Sequence, residues 1–237
     1  MTFGLLAWVF TGFVLASVIV ALVIWIMARL GISMGGLSET VTSTILAVVV
    51  YVLTLLIVVG VPWLIKKSST SKAEVGLTRL PSWMDILLAP AGFVVYFIVS
   101  GILTYAVTHL VPGFDTSQAQ QTGFEHITQR YEYLLAFGTL VVLAPLAEEI
   151  LFRGYLYGKL RKYVPVWAAV LATSALFGLV HGQWNVGLDV FALSIVLCSL
   201  REVSGSIWAG VLLHMLKNGI AFYFLFINTS LLDTIMK

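Results

Sequence analysis

Long apolar runs, separated by short polar links, determine what this chain can fold into. The first run covers 25 residues, about 4–28, and a second run without charge covers about 41–65. A helix needs roughly 20 apolar residues to cross the hydrocarbon core of a bilayer. Sixty per cent of the 237 residues are apolar and ten per cent are charged. We therefore expect an all-α, polytopic transmembrane helix bundle without a separate soluble domain.

The hydropathy pattern predicts about seven spans. After the two opening spans, the others cover about 83–111, 133–157, 166–180, 186–200 and 205–227. The fifth and sixth spans contain only 15 residues each, fewer than the roughly 20 that cross the hydrocarbon. Polar residues 181–185 lie between these two spans, so we expect a thinned or water-filled region there. We divide the single membrane domain into N-terminal scaffold helices, 1–131, and a helical core, 132–228.

The distribution of Lys and Arg among the links predicts the orientation of the chain. The links after the second, fourth and sixth spans hold eight of these residues, whereas the other side holds Arg29, Arg130 and Lys237. Because Lys and Arg accumulate in cytoplasmic loops, we expect the N-terminus in the cytoplasm. The first span lacks a basic n-region and a small-residue cleavage site, which indicates a retained helix. Since the basic residues cluster at span ends, they indicate no nucleic-acid partner.

Three charged residues lie inside the fourth span: Glu148, Glu149 and Arg153. Each costs roughly 2.5–3.5 kcal/mol at membrane depth on insertion scales, and such residues are functional by default. Glu149 and Arg153 are four residues apart, so they share a helix face and can pair. Glu148 lies about 100° further round the helix and can face a cavity. Pro145 precedes it and removes a backbone hydrogen bond. The alternative interpretation is an ion-pair link between helices.

Two further clusters lie in later spans. Phe177 and His181 are one helical turn apart at the end of the short fifth span. His214 and Asn218 are four residues apart in the seventh span, so their side chains face one direction and can donate hydrogen bonds to one point. Taken alone, His181 could be a packing histidine, and the His214–Asn218 pair could be a polar clamp between helices.

Together, the patterns Glu-Glu-x-x-x-Arg, Phe-x-x-x-His and His-x-x-x-Asn resemble the CAAX protease and bacteriocin-processing (CPBP) family, which includes the glutamate-dependent CAAX prenyl endopeptidases. The resemblance covers residues 140–228. It implies a membrane-embedded peptidase core that opens toward the cytoplasm, in a bacterial cell membrane, with Glu148 as the base and no obligatory metal or other cofactor. The implied partners are a peptide or lipidated protein substrate and membrane lipid.

These residue types also suit peptide hydrolysis in chemical terms. The reaction needs a water made nucleophilic and a site for the developing oxyanion. Glu148 can accept the proton of the water, and His181 can hold or help to activate that water. His214 and Asn218 can donate to the oxyanion. The supporting residues are Glu149, Arg153 and Phe177, of which the first two form the pair that holds the site in place.

Other chemistries remain open. The chain has no His-Glu-x-x-His pattern, but His181, His214 and the two glutamates could bind zinc if they converge. A serine mechanism would use Ser204 or Ser206 with a histidine. An aspartyl mechanism would need Asp189 to meet Asp85, which we expect at the membrane interface.

Two non-enzymatic roles are the main alternatives to hydrolysis. The first is a bacteriocin self-immunity or peptide-binding protein of the same fold. The second is a transporter that uses Glu148 and Lys217 as a charge relay. We also expect the Gly154-x-x-x-Gly158 and Gly178-x-x-x-Gly182 patterns to make close helix contacts within the bundle. Neither the substrate nor the oligomeric state follows from the sequence.

Overall fold

The computed structural model describes residues 2–32, 35–67, 70–116, 118 and 121–228. Over these ranges, contiguous α and π turns form eight helices and no strand is present. The helices are α1 (Thr2–Arg29), α2 (Glu39–Ile65), α3 (Lys72–Val75), α4 (Trp83–Leu110), α5 (Arg130–Leu160), α6 (Val166–Leu179), α7 (Trp184–Ser204) and α8 (Trp208–Ile227).

This architecture confirms the predicted polytopic helical bundle. Each of the seven predicted spans coincides with one long helix of the described chain. Five of them (α1, α2, α4, α5 and α8) are long and apolar enough to cross a membrane, and α6 is a shorter apolar helix. Lys237, which enters the predicted charge count, lies outside the described residues.

Polar side chains mark where α4 begins. Ser82 caps the helix in a reciprocal capping box with Asp85, which satisfies free backbone donors at the helix start. The Asp85 carboxylate also accepts hydrogen bonds from both terminal nitrogens of Arg79, one of them at 2.9 Å. Asp85 is fully buried, because its Arg79 partner covers it; its place at the membrane interface stays a prediction.

The helix that carries the acidic pair is irregular on both sides of it. Helix α5 contains π-helical stretches at Gly138–Leu143 and Glu149–Tyr157, separated by the α-helical Ala144–Glu148. Pro145 has no N–H to donate to the preceding turn. The amide of Asn218 on α8 donates to the Leu140 carbonyl at 2.9 Å. A side chain from another helix thus bonds a carbonyl in the turn before the proline, and π-helical turns of this kind are frequent at functional sites.

Glycines bring the helices of the core close together. A Cβ atom on Gly178 of α6 would lie 2.7 Å from the Gly187 carbonyl oxygen of α7. A Cβ atom on Gly154 of α5 would lie 2.5 Å from Val75 of α3. Gly154 and Gly178 therefore make the predicted close contacts within the bundle. Gly182 is different: its φ is +70° and nothing lies within 4 Å of its Cβ position, so it serves the turn after α6.

Candidate active site

The centre of the candidate site is the carboxylate of Glu149, which is fully buried. Its Oε1 lies 2.9 Å from Nη1 of Arg153 and 3.1 Å from Nδ1 of His214. The predicted pair on α5 therefore forms, and His214 joins it from α8. A Cβ atom on Gly210 would lie 2.9 Å from Glu149 Oε2. The absence of a side chain on Gly210 thus lets α8 approach the carboxylate.

Arg153 is also fully buried, and aromatic rings surround it. Its Cζ lies 4.4 Å from the ring centroid of Phe177, a cation–π contact of the kind that strengthens when water is excluded. Phe152 in turn packs edge to face on Phe177 at 4.8 Å. The ion pair of Glu149 and Arg153 therefore lies inside an aromatic shell built from α5 and α6.

Phe177 also contacts both histidines. Its ring centroid lies 4.9 Å from that of His181 and 5.9 Å from that of His214, both in edge-to-face geometry. Nδ1 of His181 lies 2.7 Å from the Phe177 carbonyl oxygen. A carbonyl only accepts hydrogen bonds, so Nδ1 must be the donor in this contact. The neutral His181 ring therefore has an unprotonated Nε2 that can accept a hydrogen bond.

Glu148 lies beside this cluster with 8% of its surface exposed. Its Oε1 accepts a hydrogen bond of 2.5 Å from the Tyr51 hydroxyl of α2. Its Oε2 lies 3.8 Å from Nε2 of His214, beyond the roughly 2.7–3.2 Å of a direct hydrogen bond. At such a separation a water or another small oxygen can bridge two polar groups. His214 consequently lies between the two adjacent carboxylates of α5.

Asn218 contacts α5 at a different position along the helix axis from His214. Its amide donates to Leu140, about two helical turns before Glu148. A side-chain amide carries two N–H donors, so a second donor is available besides the one that Leu140 accepts. Asn218 follows His214 by one turn on α8, as predicted, and both side chains contact α5.

The residue that sequence reasoning missed is Tyr51. It belongs to a helix that we interpreted as scaffold, and its contact with Glu148 joins residues 97 positions apart. One signal was available: Tyr51 is the only tyrosine in an otherwise Val/Leu/Ile-rich span. A buried phenol hydroxyl usually has a hydrogen-bond partner, but the pattern does not say which one.

A second polar cluster accounts for Lys217 and Asp189. Lys217 Nζ lies 3.1 Å from Oδ2 of Asp189, and Oδ1 of Asp189 accepts hydrogen bonds from Tyr96 at 2.5 Å and Ser100 at 3.0 Å. Asp189 also lines a cavity of about 270 Å³. The partner of Lys217 is therefore Asp189 rather than Glu148, and the partner of Asp189 is not Asp85. Neither the charge relay nor the aspartate pair is present in the described structure.

Metal ligation was the open alternative for the histidines and glutamates. Among the residues that the structure describes, no group of three His, Cys, Asp or Glu side chains has the spacing to hold a metal ion. The metal-free mechanism stays a prediction, which chelation can test.

Comparison with known families identifies the segment that holds this cluster. Residues 130–220 match the family model described as "Type II CAAX prenyl endopeptidase Rce1-like". The chain carries an Rce1-like domain of the CPBP family. The Rce1-like domain begins with α5 and ends within α8, so it contains every site residue predicted from the sequence but not Tyr51. The resemblance drawn from the three patterns is confirmed.

Three curated relatives are similar to the chain over part of their length. "Putative membrane peptidase YdiL" of Bacillus subtilis is 26% identical over 135 residues, which are 57% of this chain and 54% of that protein. An "Uncharacterized 24.3 kDa protein" of Escherichia coli is 36% identical over 89 residues, 35% of this chain and 41% of that protein. "UPF0177 protein YbdI" of Lactococcus lactis is 28% identical over 128 residues, 51% and 68% respectively.

The chain thus spans about half the length of the first two relatives. No solved structure matches the chain at a significant level. The apolar helices and the match to an Rce1-like family model together support an integral membrane protein.

Proposed function

We propose that this protein is a membrane-embedded endopeptidase in which Glu148 activates the attacking water. One observation carries the proposal: Oε2 of Glu148 and Nε2 of His214 face each other across 3.8 Å in a buried site. That space suits a reacting oxygen held between a base and a hydrogen-bond donor. The adjacent carboxylate of Glu149 holds the other side of the His214 ring.

The first step forms the bond between the water oxygen and the carbonyl carbon of the peptide. Glu148 accepts one proton of the water as that bond forms, and the electron pair of the C=O bond moves onto its oxygen. His181 accepts a hydrogen bond from the same water through Nε2, the nitrogen left free by the bond between Nδ1 and Phe177. This assignment gives both water protons an acceptor.

The negative oxygen that forms then needs donors. In its protonated form, His214 donates from Nδ1 to Glu149 and from Nε2 into the reaction space. Asn218 bonds the carbonyl of Leu140 about two helical turns before Glu148, so its predicted part as a second donor stays a prediction. When the intermediate collapses, the C–N bond breaks and Glu148 returns its proton to the leaving amine. The water is consumed, and the carboxylate of Glu148 is restored.

The substrate class proposed is a peptide or lipidated protein at the membrane. The name of the matched family, which refers to CAAX prenyl endopeptidases, supports this class. We also propose that the N-terminus and the mouth of the site face the cytoplasm of a bacterial cell, on the basis of the Lys and Arg distribution. The links at the ends of α2, α5 and α7 hold eight of these residues, as expected of cytoplasmic loops.

The deciding experiment compares Glu148→Gln with the wild-type chain in lipid nanodiscs. The probe is a quenched-fluorescent, farnesylated CAAX peptide, assayed with and without a chelator. We expect Glu148→Gln to lose about 10²- to 10⁴-fold in rate, the usual contribution of a general base. The matched control is Glu39→Gln, because Glu39 is exposed and undergoes the same chemical change.

Cleavage that survives Glu148→Gln would contradict the glutamate mechanism, and loss of activity with chelator would favour zinc. If the wild-type chain cleaves neither this peptide nor any protein in a comparison of cellular peptide ends with and without it, the family's non-catalytic role is favoured. That role is bacteriocin self-immunity or peptide binding.

A further inference from the structure

The hydroxyl of Tyr51 makes the shortest polar contact of Glu148 among the described residues, a hydrogen bond of 2.5 Å to Oε1. Tyr51 lies on α2, outside the segment 130–220 that matches the Rce1-like family model. We propose that Tyr51 is a positioning residue: it holds one oxygen of Glu148 and turns the other toward the reaction space. The inference rests on the proposed function and extends the reaction centre beyond the Rce1-like domain.

The contact with Tyr51 orients the carboxylate of Glu148. The terminal torsion of a glutamate side chain has a broad distribution and few intrinsic preferences. A hydrogen bond to Oε1 fixes that torsion, and with Oε1 held by Tyr51, Oε2 is the oxygen that lies 3.8 Å from His214 Nε2. The two oxygens of Glu148 therefore have different neighbours: Oε1 bonds Tyr51 of α2, and Oε2 faces His214 of α8.

The ring of Tyr51 is itself held in a fixed position by its neighbours. A tyrosine has only two side-chain torsions and a rigid ring, so it loses little freedom when ordered. Phe13 of α1 packs against the Tyr51 ring edge to face, with centroids 6.5 Å apart. The hydroxyl oxygens of Thr44 on α2 and Thr139 on α5 also lie 3.4 Å apart. Two polar contacts therefore set how α2 lies along α5.

Other ionisable groups also lie close to Glu148. His214 faces it from α8, and Glu149 and Arg153 follow it on α5. Tyr51 is the group that contacts it from α2. Removing the hydroxyl alone isolates the contribution of Tyr51.

Tyr51→Phe makes that change, because the variant keeps the ring that packs on Phe13. The first measurement is an infrared spectrum of the chain labelled with ¹³C-glutamate, with the Glu148 band assigned by subtracting the spectrum of Glu148→Gln. We expect the Glu148 carboxyl band to shift in the variant, because Oε1 loses its hydrogen bond.

The second measurement is cleavage of the farnesylated CAAX peptide. We expect kcat to fall about ten- to hundredfold with little change in KM, since a small misplacement of a reacting group has effects of that size. A purely structural role for Tyr51 would lower thermal stability without changing the Glu148 infrared band or the kcat per folded molecule.

The chain offers a matched control in Tyr96→Phe. The Tyr96 hydroxyl donates a bond of the same 2.5 Å length to a carboxylate, that of Asp189, in the second polar cluster. The substitution removes the same atom from the same kind of contact, outside the proposed site. We expect the Glu148 infrared band and the kcat of this variant to match those of the wild type.

A second variant guards against misfolding of Tyr51→Phe. Replacing Tyr51 with 3-fluorotyrosine keeps the hydroxyl and makes it a stronger donor, so the Glu148 infrared band should shift in the opposite direction while kcat stays near the wild-type value. A Glu148 band that stays at the wild-type position in both variants would overturn the role of Tyr51 alone. Cleavage by Glu148→Gln would instead overturn the proposed function and this role together.

Discussion

The imidazole of His214 is fixed to the carboxylate of Glu149 through Nδ1, at 3.1 Å. This contact joins α8 to α5 in the interior of the bundle, where both side chains are almost fully buried. It turns the opposite nitrogen of the ring toward Glu148. The two adjacent glutamates thus have different surroundings, because Glu149 is enclosed by Arg153 and His214 whereas Glu148 borders the reaction space.

This difference predicts unequal effects on stability. Glu149→Gln leaves the buried Arg153 without its counter-charge, and breaking a buried ion pair in this way costs about 3–5 kcal/mol. Glu148→Gln keeps an acceptor for Tyr51 and leaves the Arg153 pair intact, so it should cost much less. Reversible unfolding of the two variants in detergent micelles measures both changes. Equal midpoints for the two variants would contradict the assigned structural role of Glu149.

The sequence could predict the residue pairs within single helices because their geometry is local. Residues four apart on a helix share a face, so the pairing of Glu149 with Arg153 and the shared direction of His214 and Asn218 follow from spacing. The effect of Pro145 on the backbone also follows from one residue. The structure adds the partner: Asn218 binds the carbonyl of Leu140.

Contacts between distant helices could not be predicted in the same way. The bond between Tyr51 and Glu148 and the bond between Tyr96 and Asp189 each join residues more than 90 positions apart. They depend on the rotation of each helix about its axis, which packing sets. An apolar helix with little amphipathic pattern does not reveal that rotation. For the same reason the sequence did not reveal that Lys217 pairs with Asp189, and the transporter alternative had paired it with Glu148.

The close approach of α3 to α5 leads to a second prediction. A Cβ atom on Gly158 would collide with the Glu74 carbonyl oxygen, a backbone atom that cannot turn aside. We expect Gly158→Ala to displace α3 and to expose the segment around it to limited proteolysis.

The matched control for that change is Gly101→Ala. Gly101 lies in the interior of α4 with nothing within 4 Å of its Cβ position, so alanine should be neutral or stabilising by up to about 1 kcal/mol. If both variants resist protease equally and unfold at the same temperature, the contact of α3 with α5 does not constrain the fold.

Glu74 on the short helix α3 leads to a prediction about how the stability of the protein depends on pH. Lys162 donates a hydrogen bond to Glu74 and, with the backbone N–H of Ser71, holds the pKa of that carboxyl below its usual 4.5. A carboxyl whose pKa is lower in the folded state contributes stability above its unfolded pKa and loses it as the pH falls through the folded one.

We therefore expect the stability of the wild-type chain to decline as the pH falls below about 4.5, the usual pKa of a glutamate. In Glu74→Gln this part of the decline should be absent. Thermal unfolding followed between pH 3 and pH 7 in both proteins tests the expectation, with Glu39→Gln as the control. Parallel curves for Glu74→Gln and the wild type would show that Glu74 makes no such contribution.

The last prediction separates a reacting histidine from a packing one. His181 holds its ring through Nδ1 against Phe177, and the proposed reaction uses its other nitrogen to hold the water. His181→Ala should lower kcat for the farnesylated peptide by about 10²-fold or more, within the range for groups that assist proton transfer.

His109→Ala is the control for this change, because His109 is exposed at the end of α4 and stacks on Tyr105. It should leave kcat unchanged. A packing role would give His181→Ala a lower unfolding temperature with a normal rate per folded molecule, so both quantities are measured on the same preparation. The water-holding role requires the opposite result, a low rate in a protein that unfolds near the wild-type temperature, because the Phe177 ring still packs against Arg153 and His214 after the imidazole is removed.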